Sequence, residues 1–401
     1  MSAGDHARQL AWLDDELDLL DERGLRRERR TACRMADGLI EIGGDRLLDF
    51  GSNDYLGLAC DQRLLDAAQA TGIAWGAGAS PLVNGYTPAH AELERRLGEF
   101  ENATALVFSS GYAANVGTIS ALAGPGDVIL SDALNHASLI DGCRLSRAEV
   151  CVYPHADVAA LEREIERYRA ARRRLIVTDA LFSMDGDWPP LVELIELARR
   201  TQSMLMIDEA HSTGVFGAGG RGLAEELGVH DDVAIRVGTL SKALGSIGGF
   251  VCGAPSLIEW LVHRARSYMF STALPPAACE ATLAALDIVR DEPQRRERLL
   301  RAAGDVRAAL VAQGWNIGAS ASQIIPVIVG APEKAVTLSR ELRQRGLYVP
   351  AIRPPSVPPD TSRLRISLSA AHSPDTLNQL ITALGDCTNI ATQSVDALAG
   401  R

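Results

Sequence analysis

Between residues 50 and 255 the chain alternates short apolar runs with longer stretches of helical spacing. The clearest runs are Ala105–Phe108, Val128–Leu130, Leu175–Val177, Met204–Ile207 and Val233–Val237, and several end in Ser, Asp or Thr with glycine close behind. Unbroken apolar runs of this length predict buried parallel strands, because a strand covered on both faces needs no alternation. Polar residues then gather at the strand carboxyl ends, where α/β sheets build their sites. The first residues have helical spacing of Leu10, Leu17 and Leu20, followed by the basic run Arg26-Arg27-Glu28-Arg29-Arg30. Near residue 285 the pattern changes. It predicts a helix over 294–313, a strand at Ile324–Val329, a helix over 332–345 and strands at Leu347–Val349 and Leu364–Leu368. Ser373-Pro374-Asp375 starts a further helix, with a capping hydroxyl and Pro in the first turn. The expected organisation is an N-terminal helical segment over 1–50, a large α/β domain over 51–285, a smaller α+β domain over 286–385 and a tail over 386–401.

Composition narrows the function. Hydrophobic residues make up 47% of the 401 positions and the net charge is −11. A surface of that sign repels nucleic acid and anionic membranes, so neither is expected as a partner. No stretch approaches the roughly 18 uncharged apolar residues of a membrane span, and the acidic N-terminus has no apolar signal core. A cytoplasmic location is expected. Seven cysteines without paired spacing suggest neither a disulfide framework nor a metal site. Only Lys242 and Lys334 are lysines, whereas the other 38 basic residues are arginine. Arginine stays protonated near neutral pH, so chemistry that needs an amine nucleophile has two candidates.

Lys242 lies in Gly238-Thr239-Leu240-Ser241-Lys242-Ala243-Leu244-Gly245, directly after an apolar strand. Small neighbours allow close approach of a cofactor, and a desolvated lysine becomes a nucleophile. Met204–Ile207 runs into Asp208-Glu209-Ala210-His211, the letters of a helicase box. That reading needs a phosphate loop with Lys before Ser or Thr, but both lysines here precede alanine. An acid at the end of that strand could instead pair with a protonated pyridine nitrogen. Phe108-Ser109-Ser110-Gly111-Tyr112 leads from a strand into a helix start, which could seat a phosphate on backbone amides. His136 follows a further strand and could stack on a ring; Phe182–Asp187 follows another. The glycines of Gly214–Gly222 lack the strand–helix context of a dinucleotide fingerprint.

In this order the motifs resemble the α-oxoamine synthases, a branch of the fold-type I pyridoxal-phosphate enzymes, over about residues 20–385. The resemblance rests on Ser52-Asn53-Asp54-Tyr55-Leu56-Gly57, Phe182–Asp187, Asp208–Gly214, Thr239–Lys242 and Phe270–Pro276. Ala351–Pro358 and Arg363-Leu364-Arg365 resemble the biotin-pathway members most. Tyr112 stands where the family often has Phe, and Ala180 where it often has Gly. The resemblance implies a mainly parallel seven-stranded sheet and pyridoxal 5'-phosphate attached to Lys242. It implies Asp208 at the pyridine nitrogen, His211 and Ser183 near the ring hydroxyl, and His136 on the ring face. Gly111, Tyr112 and Thr239 fall by the phosphate, with Thr272 reaching it from the partner subunit of a homodimer. It implies condensation of L-alanine with a pimeloyl thioester, on coenzyme A or an acyl carrier protein. Arg365 would clamp the amino-acid carboxylate with Asn53 assisting; Arg26 and Ser356 match substrate positions, and Arg353 is a further candidate for a second carboxylate. The alternatives are a sister synthase using glycine or serine, a non-catalytic partner subunit, and a nucleotide-binding module.

Overall fold

The computed structural model describes residues 9–23, 25–70 and 74–389. After a helix at Trp12–Glu22, three short strands follow: β1 (Ala32–Arg34), β2 (Leu39–Ile42) and β3 (Asp45–Asp49). The expected N-terminal helical segment over 1–50 thus holds one helix, and over residues 32–49 it is corrected to short strands. Ile40, Ile42 and Leu47 are buried while Glu41 is exposed, the alternation of a one-sided antiparallel pair. Gly43 and Gly44 both hold positive φ, 64° and 89°, which the tight turn between β2 and β3 requires.

The central sheet contains β4 (Thr104–Phe108), β5 (Val128–Asp132), β6 (Glu149–Tyr153), β7 (Arg174–Asp179), β8 (Met204–Asp208), β9 (Ile235–Thr239) and β10 (Gly249–Gly253). Its order is β4-β10-β9-β8-β7-β5-β6. All neighbours pair in parallel except β10, which is antiparallel to both β4 and β9. Two large buried clusters cover its faces, one led by Leu130, Ile176 and Ile207 and the other by Ile129, Val177 and Met206. Adjacent residues thus point to opposite cores, which explains the unbroken apolar runs. The mainly parallel sheet of seven strands is as the sequence predicts.

The C-terminal part carries β11 (Ile324–Gly330), β12 (Leu347–Tyr348), β13 (Ala351–Ile352) and β14 (Ser362–Ser367). β11, β14 and β13 form an antiparallel sheet, while β12 leaves it to pair in parallel with β3. A helix over Gln294–Ala312 and another over Pro332–Gln344 fall where the periodicity places them. Ser373 accepts a hydrogen bond from the Thr376 amide and caps the final helix, Pro374–Asp386. Residues 390–401 of the expected tail lie outside the described residues. Among the described residues no helix is long and apolar enough to cross a membrane.

One ionic pin fixes the loop after β7. His155 Nδ1 lies 3.0 Å from Asp132 Oδ1 and its Nε2 lies 3.1 Å from Asp187 Oδ2, with Phe182 edge-on at 4.4 Å. Burial alone would push the imidazole down, but the two carboxylates outweigh it and lift it to about 10. His155 is therefore cationic at neutral pH. A folded-state pKa above the unfolded one contributes stability that is complete below about pH 6.5 and fades as pH rises through about 10. We expect His155→Gln to lose about 1–3 kcal/mol of unfolding free energy at pH 7. Denaturant melts of the two proteins should converge above pH 10; a constant gap would contradict the ionic pin.

Candidate active site

The carboxyl ends of β7, β8 and β9 bring Asp179, Asp208 and Thr239 to one edge of the sheet, and Asp179 and Asp208 are register partners on adjacent strands. Asp208 is buried and held by two donors. The Ala210 amide donates to Oδ1 at 2.8 Å, and Asn115 Nδ2 donates to Oδ2 at 2.6 Å. Asn115 Nδ2 also reaches Ser138 Oγ at 2.9 Å, which in turn lies 2.7 Å from His136 Nδ1. The Ser138 amide donates to that same Nδ1 at 3.2 Å, so a neutral His136 carries its proton on Nε2. Burial and the nearby Lys242 lower the imidazole's pKa, while Asp208 opposes them. The backbone of His136 is anchored by donation to Asp179 Oδ2 at 2.7 Å. Burial and the neighbouring Asp208 push the Asp179 carboxyl well above the usual range.

Lys242 follows β9 by three residues. By surface area the residue is only partly buried, yet its amine lies deep among protein atoms, and this desolvation lowers its pKa to about 8. Asp208 and Asp179 oppose that shift and Arg365 supports it. Lys242 Nζ lies 2.9 Å from His211 Nε2. His211 Nδ1 lies 2.6 Å from the hydroxyl of Tyr55, a side chain with no exposed surface. Burial, Lys242 and Arg365 push His211 well below the ordinary histidine range, so its ring is neutral.

Arg365 is buried on β14 and faces the same group. Its Nε donates to the Ser183 carbonyl, Nη1 to Ser367 Oγ at 2.9 Å, and Nη2 to Asn53 Oδ1 at 3.1 Å and the Tyr55 hydroxyl at 3.4 Å. Four of the five guanidinium N–H groups thus have protein partners. A carboxylate held by this guanidinium through two oxygens would need one of these donors for its second contact, and the Tyr55 contact is the longest.

On the other side of Thr239 lies the helix Gly111–Leu122. Ser110 caps it by accepting from the Ala113 amide at 3.0 Å, while the Gly111 and Tyr112 amides precede the first intrahelical bond. A Cβ on Gly249 would lie 2.5 Å from the Gly111 amide nitrogen, so glycine is required for this helix start to pack against β10. The Thr239 hydroxyl donates to the Gly248 carbonyl at 2.9 Å and lies 2.8 Å from Ser241 Oγ. The Tyr112 ring stands edge-on to His136 at 6.4 Å. A desolvated amine, a buried carboxylate with fixed lone pairs, an imidazole and a helix N-terminus fit a pyridine ring bearing an aldehyde and a phosphate. Among the described residues no cluster of His, Cys, Asp or Glu is arranged to hold a metal ion.

The structure thus gathers Lys242, His211, Asp208, His136, Asn53, Ser183, Arg365, Thr239, Gly111 and Tyr112 around the strand ends. Three expected residues lie outside this cluster. Arg26 pairs with Asp21, and exposed Ser356 receives Arg27 Nη2 at 3.3 Å. Thr272 is exposed and lines a narrow cleft with Ser109 and Tyr86. Tyr55, Asn115, Asp179 and Ser138 belong to the cluster but were not singled out from the sequence. Their one visible signal is position: Tyr55 lies inside the motif stretch Ser52–Gly57, and Asn115 three residues after Phe108–Tyr112.

Comparison with known proteins gives the family. Residues 45–384 match the class I and II aminotransferase family. The 8-amino-7-oxononanoate synthase of Anaeromyxobacter dehalogenans is 49% identical over 94% of this chain and 95% of its own length. That of Geobacter sulfurreducens is 47% identical over 92% and 96%. Among solved structures, the serine palmitoyltransferase of Sphingomonas wittichii superposes with a TM-score of 0.90 at 32% identity, covering 96% of this chain and 98% of that one. The 8-amino-7-oxononanoate synthase of Francisella tularensis gives 0.74 at 26% identity, covering 86% and 99%. Another serine palmitoyltransferase at 30% identity was solved with pyridoxal phosphate. The chain therefore belongs to the α-oxoamine synthase family of fold-type I pyridoxal-phosphate enzymes, on the branch of the 8-amino-7-oxononanoate synthases.

Proposed function

We propose that the chain condenses L-alanine with a pimeloyl thioester, on coenzyme A or acyl carrier protein, to give 8-amino-7-oxononanoate, carbon dioxide and free thiol in biotin synthesis. The observation that carries the chemistry is the desolvated Lys242 amine, 2.9 Å from His211 Nε2 and within electrostatic reach of Asp208, Asp179 and Arg365. The choice of alanine is supported by the relatives at 44–49% identity, all 8-amino-7-oxononanoate synthases. Structural likeness alone also admits the serine-using branch, since serine palmitoyltransferase superposes more closely.

In this reading pyridoxal phosphate supplies the sink for the electron pair left at the alanine Cα. Lys242 would hold the cofactor, Asp208 would keep the ring nitrogen protonated, and His136 would lie on the ring face. Ser183 and His211 would face the ring hydroxyl; Gly111, Tyr112 and Thr239 would hold the phosphate. With a pKa near 8, about a quarter of Lys242 is neutral at pH 7.5, against roughly one part in a thousand for an ordinary lysine. That neutral amine takes the α-proton. The Cα then bonds to the thioester carbonyl carbon as the thiolate leaves, the alanine carboxylate departs as carbon dioxide, and the electron pair left at Cα takes a proton back from Lys242. Arg365 orients that carboxylate, aided by Asn53. Arg26, Ser356 and Arg353 are proposed for the far end of the acyl donor. A second copy of the chain is the proposed partner, with Thr272 reaching across. Exposed Trp75, Val83 and Phe270, at 80%, 76% and 67%, give such a contact its apolar area.

Purified enzyme given L-alanine and each pimeloyl thioester should release 8-amino-7-oxononanoate, read by mass spectrometry; preference for serine or glycine would move the chain to a sister activity. Lys242→Ala should lose both the visible absorbance of the bound cofactor and turnover, and retained turnover would sink the mechanism. Arg365→Lys should raise the KM for alanine roughly 10- to 100-fold, the loss of one charge-assisted hydrogen bond, with smaller change in the KM for the thioester.

A further inference from the structure

Tyr55 has no exposed surface, and its hydroxyl is hydrogen-bonded to three groups of the site, with the Gln323 side chain beside it as a further donor. It lies 2.6 Å from His211 Nδ1, 3.2 Å from Asn53 Oδ1 and 3.4 Å from Arg365 Nη2. The phenol has one proton to give. The Asn53 oxygen already accepts from Arg365 at 3.1 Å, and the shorter contact is to the imidazole. A guanidinium donating to the phenol oxygen also strengthens it as a donor. The hydrogen bonds therefore run in one direction, from Arg365 to Tyr55 to His211. A neutral imidazole that accepts at Nδ1 carries its proton on Nε2, 2.9 Å from Lys242 Nζ. An N–H aimed at the lone pair of an amine stabilises the neutral amine.

We propose that Tyr55 is a positioning residue that fixes His211 as the Nε2–H tautomer and so keeps Lys242 in its nucleophilic, unprotonated form. This rests on the reading of Lys242 as the lysine that holds the cofactor. It links the substrate-carboxylate arginine to the reacting amine through two neutral rings. The reverse array, Lys242 ammonium donating to Nε2 and Tyr55 donating to Asn53, is the arrangement the proposal excludes.

The two lysines make the test direct. In a Lys334→Arg background, Lys242 is the one side-chain amine in the chain. Full-length protein stripped of cofactor is mixed with pyridoxal phosphate and capture is followed by absorbance. Nζ bonds to the aldehyde carbon and the carbonyl oxygen leaves as water, so the rate follows the fraction of neutral amine. Tyr55→Phe should slow capture roughly 3- to 10-fold at pH 7, the worth of one neutral hydrogen bond, and leave it near the unsubstituted rate at pH 10. A purely structural role would slow capture at both pH values, and equal rates at pH 7 would also overturn the proposal. Capture that survives Lys242→Ala would instead overturn the reading of Lys242 itself. Should Tyr55→Phe not fold, the 15N spectrum of histidine-labelled protein, assigned through His211→Asn, reports the tautomer directly. A proton on Nε2 supports the proposal and a proton on Nδ1 refutes it.

Discussion

Desolvation of the Lys242 amine is the constraint around which the site is built. Removing a cation from water is costly, so a buried lysine sheds its proton unless anions hold it. Here Asp208 and Asp179 oppose the loss while Arg365 favours it, and the balance falls near pH 8. That balance depends on the sheet. Parallel strands end on one side, so β7, β8 and β9 deliver Asp179, Asp208 and Lys242 to one edge without distorting any of them. The antiparallel β10 then closes the edge at the proposed phosphate seat, because Gly249 packs against Gly111 at the helix start.

The same constraint explains why most of the surrounding polar groups are engaged, Asn115 Oδ1 and Gln323 Oε1 being buried atoms with no hydrogen-bond partner. An unpaired polar atom in this setting costs about 1–3 kcal/mol, and mobile ones would blur the amine's position. Asn115 fixes Asp208, Ser138 and Asp179 fix His136, and Gln323 Nε2 donates to the His211 carbonyl at 2.8 Å. That last bond comes from the segment before β11. It helps hold the C-terminal sheet, and with it Arg365, against the strand ends.

What could be read from the chain follows from where the information is local. The buried strands announce themselves because both faces are apolar, and Lys242 stands out because arginine supplies almost all other positive charge. The Ser373 cap and the long helices are likewise local patterns. The strands before residue 50 were hidden by their brevity, and β10 by the glycines at its ends. Tyr55 and Asn115 are harder still. Their partners lie 156 and 93 residues away, at His211 and Asp208. A tyrosine beside a turn and an asparagine in a helix look ordinary until the fold places them. Arg26 and Ser356 show the converse: motif position singles them out, but within one chain they contact Asp21 and Arg27.

Arg365 shows how substrate binding and amine chemistry share one set of donors. Ser183, Ser367, Asn53 and Tyr55 take four of its N–H groups. In the proposed binding mode a carboxylate held through two oxygens displaces one of them, and the Tyr55 contact, at 3.4 Å, is the longest. The incoming anion is a stronger acceptor than a phenol oxygen, so the exchange is favourable. Tyr55, 2.6 Å from His211 Nδ1, would then keep that bond but lose the cation behind it. It becomes a weaker donor, and the carboxylate brings negative charge toward Lys242. Both changes favour the protonated amine, and they occur only once substrate is seated. In the proposed reading the lysine is thus less basic before the amino acid arrives and more basic once it is seated, when the neutral amine has to accept the α-proton.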